Sequence, residues 1–290
     1  MTSPPPQEPS GAPGPGPDPR QPAHARRPWW KSSAGLSALA ALGAAVLVLA
    51  VFLATRDGGG GGTAAPEGSP SPGRARIVLQ PAEAAGPDAF TSGTVRESPP
   101  ANAPTPSLSP APSAAYGAPS VSGATRALYG GTKGKSACDV GGQTDLLTGT
   151  PAKAAAFARV AGIDADGIGR YLKSLTPALL RADTRVTDHG FDNGSATSFA
   201  AVLEAGTAVL VDDRGVPRVR CASGDPLSVP KAAEGAGHTG PAWPGFRASE
   251  VVAVRPAART HRSFVLYDAE REALFRRPAG TRGTADSWVS

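Results

Sequence analysis

One apolar run near the N-terminus limits the folds open to this chain more than any other feature. Residues 34–54 read AGLSALAALGAAVLVLAVFLA and contain no charged side chain. A helix of about 20 apolar residues spans the hydrocarbon core of a bilayer and satisfies its own backbone polar groups. The sequence therefore predicts one transmembrane helix over residues 34–54, with the lipid bilayer as its partner.

The charges that flank this run set its expected direction. Lys and Arg are concentrated on its N-terminal side, whereas Arg56 on its C-terminal side is offset by Asp57. Because basic residues stay in the cytoplasm, we expect a single-pass plasma-membrane protein with a cytoplasmic N-terminus and an extracytoplasmic C-terminus. A cleaved export signal is the alternative, since Arg26-Arg27 resembles a twin-arginine signal. The length of the run and the lack of an A-x-A site after it favour the anchor.

Composition divides the rest of the chain into parts. The sequence has 36 Gly and 31 Pro, and much of this excess lies before residue 126, where it disfavours a packed core. We expect a disordered, basic and Pro-rich cytoplasmic tail over residues 1–33 and a flexible Gly/Pro-rich linker over residues 55–125. A short strand-like island interrupts that linker at residues 76–91, and we expect it to dock on the folded domain as an added strand. The remaining residues, 126–290, are predicted to form one extracytoplasmic domain.

The pattern within that domain changes from helical to extended. Thr150 is a suitable N-cap, Pro151 suits the first helical position, and Gly162 suits a left-handed stop. Beyond about residue 185 the apolar residues recur with a period of two, and the DDRG sequence at residues 212–215 indicates a hairpin turn. These patterns predict an α+β fold with a small helical N-terminal part followed by an antiparallel sheet.

Charge and motifs exclude several classes of function. The formal net charge is +5, and the Lys and Arg residues are interspersed with Asp and Glu rather than grouped in a basic stripe. This distribution disfavours nucleic-acid binding. The sequence contains no phosphate-binding loop, no nicotinamide fingerprint and no HExxH motif, so neither a cofactor nor a metal is predicted.

Two cysteines, Cys138 and Cys221, both lie on the side expected to be extracytoplasmic. Thiols oxidise in that compartment, so we expect a disulfide between them. Two buried free thiols are the alternative. The alternation of residues 217–221 points Cys221 toward the core, which suits the bridge.

His189 is the first candidate for catalysis. Asp188 and Asp192 are close to it in sequence, and Ser195 follows the Gly194 turn. A hydrolase would need the imidazole within hydrogen-bond reach of a nucleophile, with an acid to orient it. The alternative is that His189 and Asp192 only shape a turn, and no G-x-S-x-G elbow surrounds Ser195.

Two aromatic residues, Trp243 and Phe246, are candidates for binding. They lie in the sequence GPAWPGF at residues 240–246 and can form an exposed stacking platform for a glycan or a peptide. The alternative, which we favour, is that they close the edge of a core.

Several blocks of sequence resemble a family of actinomycete membrane-anchored extracytoplasmic proteins with a domain of unknown function. The blocks are residues 86–91 (GPDAFT), 128–132 (LYGGT), 138–140 (CDV), 183–190 (DTRVTDHG), 206–212 (GTAVLVD) and 217–221 (PRVRC). The resemblance implies no activity. We therefore expect an anchored domain that binds an envelope polymer or a protein partner without catalysis. A cell-envelope hydrolase that uses His189 with a nearby aspartate is the alternative, and a purely structural spacer is a third possibility.

Overall fold

The structure describes the part of the chain on the C-terminal side of the predicted anchor. A computed structural model describes residues 76–100, 103–233 and 236–289. The predicted tail (residues 1–33), the predicted transmembrane helix (34–54) and the first part of the predicted linker lie outside the described residues. Among the residues that are described, no helix is long and apolar enough to cross a membrane.

Three α-helices follow one another in the described part of the chain, as the capping pattern predicts. They are α1 (Val140–Thr148), α2 (Pro151–Ala161) and α3 (Ile168–Ser174). The carboxylate of Asp139 caps α1 by accepting from the backbone N–H of Gly142 at 3.0 Å. Gly162 ends α2 with a φ of 70°, a left-handed conformation that glycine adopts without steric cost.

Two sheets form the remainder of the fold. The strands of the first sheet are β1 (Arg76–Gln80), β2 (Ser120–Ser122), β5 (Thr184–Asp188), β8 (Phe199–Leu203), β11 (Leu227–Ser228), β12 (Gly237–Thr239) and β13 (Val252–Arg255). Those of the second are β3 (Tyr129–Gly130), β4 (Thr176–Leu180), β9 (Ala208–Val211), β10 (Pro217–Arg220), β14 (Ser263–Asp268), β15 (Ala273–Pro278) and β16 (Ser287–Trp288). The order of the first sheet is β12-β1-β8-β5-β13-β2, with β11 also paired to β5, and the order of the second is β10-β9-β4-β3-β14-β15-β16. A separate small hairpin joins β6 (Phe191–Asp192) to β7 (Ser195–Ala196).

The directions of the strands correct one expectation. The α+β class agrees with the structure, but the predicted antiparallel sheet is in fact two mixed sheets. β1 runs parallel to both of its neighbours, β13 runs parallel to both β5 and β2, and β3 runs parallel to β14. A period of two shows which residues share a face of a strand, but it carries no information about the direction of a neighbour that is distant in sequence.

The described part of the predicted linker belongs to the fold, which corrects the flexibility expected of residues 92–125 and agrees with docking of the strand-like island as an added strand. The strand-like island supplies β1 inside the first sheet, and Phe90 is fully buried. Ser120–Ser122 adds an edge strand to the same sheet. The domain therefore begins no later than Arg76 rather than at residue 126. These segments are rich in Pro and lack a regular apolar period, so their order comes from pairing with distant strands that composition cannot reveal.

The buried apolar residues form three clusters. The first lies beneath the helices and joins Phe157 and Leu172 to Leu210 of the second sheet. The second fills the space between the sheets, where Val186 and Leu203 of one sheet are in the same cluster as Leu266 of the other. The third cluster consists of Ile77, Leu79, Val202 and Val251, with Trp243 and Phe246 packed against it. The helices and the outer segments are thus held to the sheets mainly by burial of apolar surface.

The predicted disulfide between Cys138 and Cys221 is confirmed. The two Cα atoms are 6.0 Å apart, and both residues are buried. Cys138 lies just before α1 and Cys221 just after β10, so the bond joins the helical part to the second sheet. It closes a sequence separation of 83 residues, which makes the reduced unfolded chain far less restricted than the oxidised one.

We expect replacement of both cysteines by alanine to lower the free energy of unfolding by about 4–5 kcal/mol, the chain-entropy value for a loop of this length. Urea denaturation of the oxidised protein and of the C138A/C221A variant measures the difference. Dithiothreitol should destabilise the natural protein and leave the double variant unchanged. Equal stability of the oxidised natural protein and the C138A/C221A variant would contradict the prediction.

Candidate functional site

The imidazole of His189 is held by two hydrogen bonds. Its Nδ1 lies 3.1 Å from the carbonyl oxygen of Thr197, and its Nε2 lies 3.1 Å from the hydroxyl of Ser228. Because a carbonyl oxygen can only accept, Nδ1 carries the proton and donates it, and Nε2 accepts from the Ser228 hydroxyl. Burial lowers the pKa of His189, so the ring is neutral near pH 7.

Neither predicted aspartate orients this ring. The carboxylate of Asp188 accepts from the backbone N–H of His189 at 2.8 Å, and the exposed carboxylate of Asp192 accepts from the Asn193 side chain. Ser195 pairs with Asp192 across the small β6–β7 hairpin. The partner of the imidazole is therefore Ser228, which the sequence analysis missed. It lies on β11, which reaches His189 only through long-range pairing with β5, so no local pattern could indicate it.

Beside His189 lies a cluster of buried charges centred on Arg220. The guanidinium group of Arg220 donates to the side-chain oxygen of Gln80 and to the carbonyl oxygens of Pro81, Ala84 and Ala85. Arg220 is fully buried. The amide of Gln80 in turn donates to Asp188 at 2.8 Å, so a chain of hydrogen bonds joins β10, β1 and β5. Since the cluster is closed to solvent, its role is to hold strands together.

Asp225 is the second carboxyl group of this cluster. Its Oδ1 accepts from the backbone N–H of Phe90 at 2.9 Å, whereas its Oδ2 is buried without a hydrogen-bond partner. Burial, together with the neighbouring Asp188, raises the pKa of Asp225 to about 8. One guanidinium group balances only one of the two carboxylates, so the neutral acid is the favoured form of Asp225 at pH 7.

The two aromatic candidates lie on the outer face of the first sheet. The rings of Trp243 and Phe246 meet edge to face with centroids 5.0 Å apart. The indole N–H of Trp243 donates to Asp183 at 3.1 Å, and both rings pack against the third apolar cluster. The four residues singled out from the sequence, His189, Asp192, Trp243 and Phe246, are absent from the linings of the cavities described here.

The structure forms instead a cleft that the sequence analysis did not identify. It has a volume of about 210 Å³ and lies where β3, β4 and β14 end. Residues 97–100 and 103–105 line one side of it, and the turn at residues 205–206 and the β14–β15 turn line the others. We call this the sheet-edge cleft. Five segments that are distant in sequence build it, so only the tertiary structure reveals it.

Some polar groups in the sheet-edge cleft have hydrogen-bond partners among the described residues, and others do not. The guanidinium group of Arg181 lies 4.2 Å from the centre of the Tyr267 ring and donates to the carbonyl oxygens of Ala127 and Pro104. Glu97 also lines the cleft, and its Oε2 is buried without a hydrogen-bond partner. The lining contains a second carboxylate, Glu270, but neither a histidine nor a cysteine.

Metal binding finds no support in the part of the chain that the structure describes. No group of three or more His, Cys, Asp or Glu side chains there is placed to hold an ion. Asp188 is committed to Gln80 and to a backbone N–H, and Asp192 bonds to Asn193. The described side chains around His189 therefore offer a serine–histidine pair and not a ligand set.

The raised pKa of Asp225 predicts a pH-dependent stability. The folded protein retains this proton up to about pH 8, whereas the unfolded chain loses it near pH 4. The free energy of unfolding should therefore fall as the pH rises from 6 to 8, by at most about 1.4 kcal/mol per pH unit. D225N cannot ionise and should flatten the decline, whereas D192N, at an exposed site, should keep it. Urea midpoints measured between pH 6 and 8 test this prediction. The same dependence of stability on pH in the natural protein and in D225N would contradict it.

Comparison with known proteins assigns the chain to a family. No curated protein and no solved structure matches it. A family profile described as a domain of unknown function matches residues 119–280, which is more than half of the chain. This match covers the helices and all but the first and last strands of the two sheets. The chain therefore belongs to the DUF6777 family.

Proposed function

We propose that this protein is a single-pass membrane-anchored binding module, whose extracytoplasmic domain recognises a component of the cell envelope without catalysis. The sheet-edge cleft carries the proposal. It is concave and presents the Tyr267 ring, and it contains the carboxylate of Glu97, one oxygen of which has no hydrogen-bond partner among the described residues. Concave sites with a few unsatisfied polar groups are the usual places for ligands.

The lining of the cleft indicates the kind of group that it recognises. Glu97 and Glu270 offer carboxylate acceptors, while the donors of Arg181 are directed to the carbonyl oxygens of Ala127 and Pro104. This excess of acceptors suits ligands that present hydroxyl, amide or ammonium donors. The volume of about 210 Å³ is smaller than the roughly 300–1,000 Å³ typical of sites for drug-sized molecules. One residue of an envelope polymer, or one side group of a protein partner, is therefore the expected occupant.

The proposed placement outside the membrane rests on two observations. The apolar run at residues 34–54 has an excess of basic residues on its N-terminal side only. The disulfide between Cys138 and Cys221 suits an oxidising compartment. Together they support a cytoplasmic N-terminus, an anchor over residues 34–54 and an exported domain.

A topology experiment tests this placement. Alkaline phosphatase folds actively only outside the cytoplasm, so a fusion after Ser290 should be active in cells. A matched fusion after Ser33, before the apolar run, should be inactive. Activity that is confined to the second fusion would overturn the proposed orientation.

Binding is tested with soluble peptidoglycan fragments, which present hydroxyl, amide and ammonium donors on one polymer. The full chain in lipid nanodiscs should bind them, and Y267A should weaken binding about tenfold, or about 1.4 kcal/mol, because it removes an aromatic wall of the cleft. E97Q should also weaken it by removing the carboxylate. Y116A, which changes a tyrosine outside the cleft, is the control. Equal affinities of natural protein, Y267A and E97Q, measured by calorimetry, would contradict the proposal.

A hydrolase that uses His189 is the second candidate, because the Ser228 hydroxyl lies within hydrogen-bond distance of Nε2. The Thr197 carbonyl, rather than an aspartate, would orient the ring. In the experiment above, release of new reducing ends or free amines that is lost in both S228A and H189A would favour the hydrolase. Binding without turnover, unchanged in S228A, would favour the binding module.

A further inference from the structure

A second cavity lies on the outer face of the first sheet. Its volume is about 310 Å³, and it shares no lining residue with the sheet-edge cleft. Ile77 of β1, Val202 of β8 and Val251 give it apolar walls, and Arg185 of β5 and His238 are its polar side chains. Arg185 lies directly opposite Val202 in the antiparallel β5–β8 pair. We call this the Arg185 cavity.

The guanidinium group of Arg185 is buried with few partners. The residue is 2% exposed. Its Nη1 donates to the carbonyl oxygens of Val186 at 3.2 Å and Ala201 at 3.1 Å, whereas its Nε is buried without an acceptor from residues 76–100, 103–233 or 236–289. No carboxylate of the described residues lies within 4 Å of it. Burial lowers the pKa of Arg185, which is consistent with a cation that has lost water and gained little in exchange.

Two other arginines of this domain are buried as deeply, and both have carboxyl groups beside them. Arg277 forms an ion pair with Asp286 at 2.7 Å, and both side chains are fully buried. Arg220 lies in the field of Asp188 and Asp225. Arg185 alone among these three lacks such a neighbour in the described part of the chain. A buried cation without a counter-ion is strongly unfavourable, so this one is placed to receive an anion.

The nitrogens that remain define how an anion would bind. Nη1 donates to the protein and Nε is closed to solvent, whereas Nη2 makes no hydrogen bond to a described residue, so a carboxylate oxygen would be held by Nη2. The walls next to it are aliphatic, so the remainder of the ligand should be apolar. We propose that the Arg185 cavity binds a small organic monocarboxylate, with its carboxylate on Arg185 and its apolar body against Ile77, Val202 and Val251.

Calorimetry with a matched set of probes tests this proposal. The full chain in lipid nanodiscs is titrated with hexanoate, with hexanol, which has the apolar body alone, and with hexylammonium, which has the opposite charge. Hexanoate should bind at least about tenfold more tightly than either of the others. Glu234 lies in the short segment outside the described residues, so the titrations are repeated with E234Q to remove a carboxylate of the chain itself as a competitor.

Substitutions of arginine test whether hexanoate binds at Arg185. R185Q should weaken hexanoate binding at least about tenfold, and R185K should weaken it to a smaller extent, since lysine keeps the charge but lacks the planar fork. R255Q, which changes an exposed arginine of β13 in the same sheet, is the control and should bind as the natural protein does. Melting curves establish that each variant is folded, and R185K carries the test if R185Q is not.

Hexanoate binding that requires Arg185, in the natural chain or in E234Q, supports the proposal. Absence of hexanoate binding in both backgrounds overturns it, as does equal binding of hexanoate and hexanol. Affinity for hexanoate that is unchanged in R185Q and R185K also overturns it. Because Y267A and E97Q alter the other cleft only, failure of the envelope-binding proposal would leave these results unaffected.

Discussion

Burial of the Arg220 guanidinium group is the interaction on which the arrangement of this domain depends. A desolvated cation requires acceptors, and the two Nη atoms of Arg220 obtain them from Gln80 and from three carbonyl oxygens within residues 81–85, whereas its Nε has none among the described residues. Gln80 ends β1, and the three carbonyl oxygens lie in the segment that follows it. The charge thus fixes this segment, in addition to the burial of Ile77 and Leu79 in the third apolar cluster. Cys221, the residue that follows Arg220, forms the disulfide with Cys138 and so links this strand to the helical part.

Close packing around Arg220 accounts for two glycines. Gly86 has a φ of 79°, and a Cβ atom there would lie 2.8 Å from Nη1 of Arg220. Gly224 has a φ of 70°, and a Cβ atom there would lie 2.3 Å from the Thr91 hydroxyl. Both positions need a left-handed backbone and have no room for a side chain. The blocks GPDAFT and PRVRC, noted in the sequence for their resemblance to a family, therefore meet around one buried charge.

Local features of the structure could be predicted from the sequence, and long-range ones could not. Thr150, Pro151 and Gly162 marked the two ends of α2 correctly because such signals act within one turn of a helix, although the Thr150 side chain makes no capping hydrogen bond. The hairpin at residues 212–215 was also local. The island could be expected to add a strand, but its parallel pairing with β8 joins residues more than 100 positions apart, and no local pattern indicates that partner or its direction. The alternation along residues 217–221 places Arg220 on the face opposite Cys221, and nothing in the neighbouring sequence indicates that this face is also buried.

The same difference between local and long-range contacts explains why the candidate sites in the structure differ from those suggested by the sequence. His189 and Asp192 are close in sequence, yet β5 ends at Asp188, just before His189, and Asp192 lies in a separate hairpin. Their side chains consequently bond to different partners. The sheet-edge cleft and the Arg185 cavity are each assembled from several distant segments, and each contains a polar group that the protein leaves without a partner. An unsatisfied buried group is unfavourable for folding alone, and in these two sites the group lies beside a cavity, which is why the binding proposals rest on them.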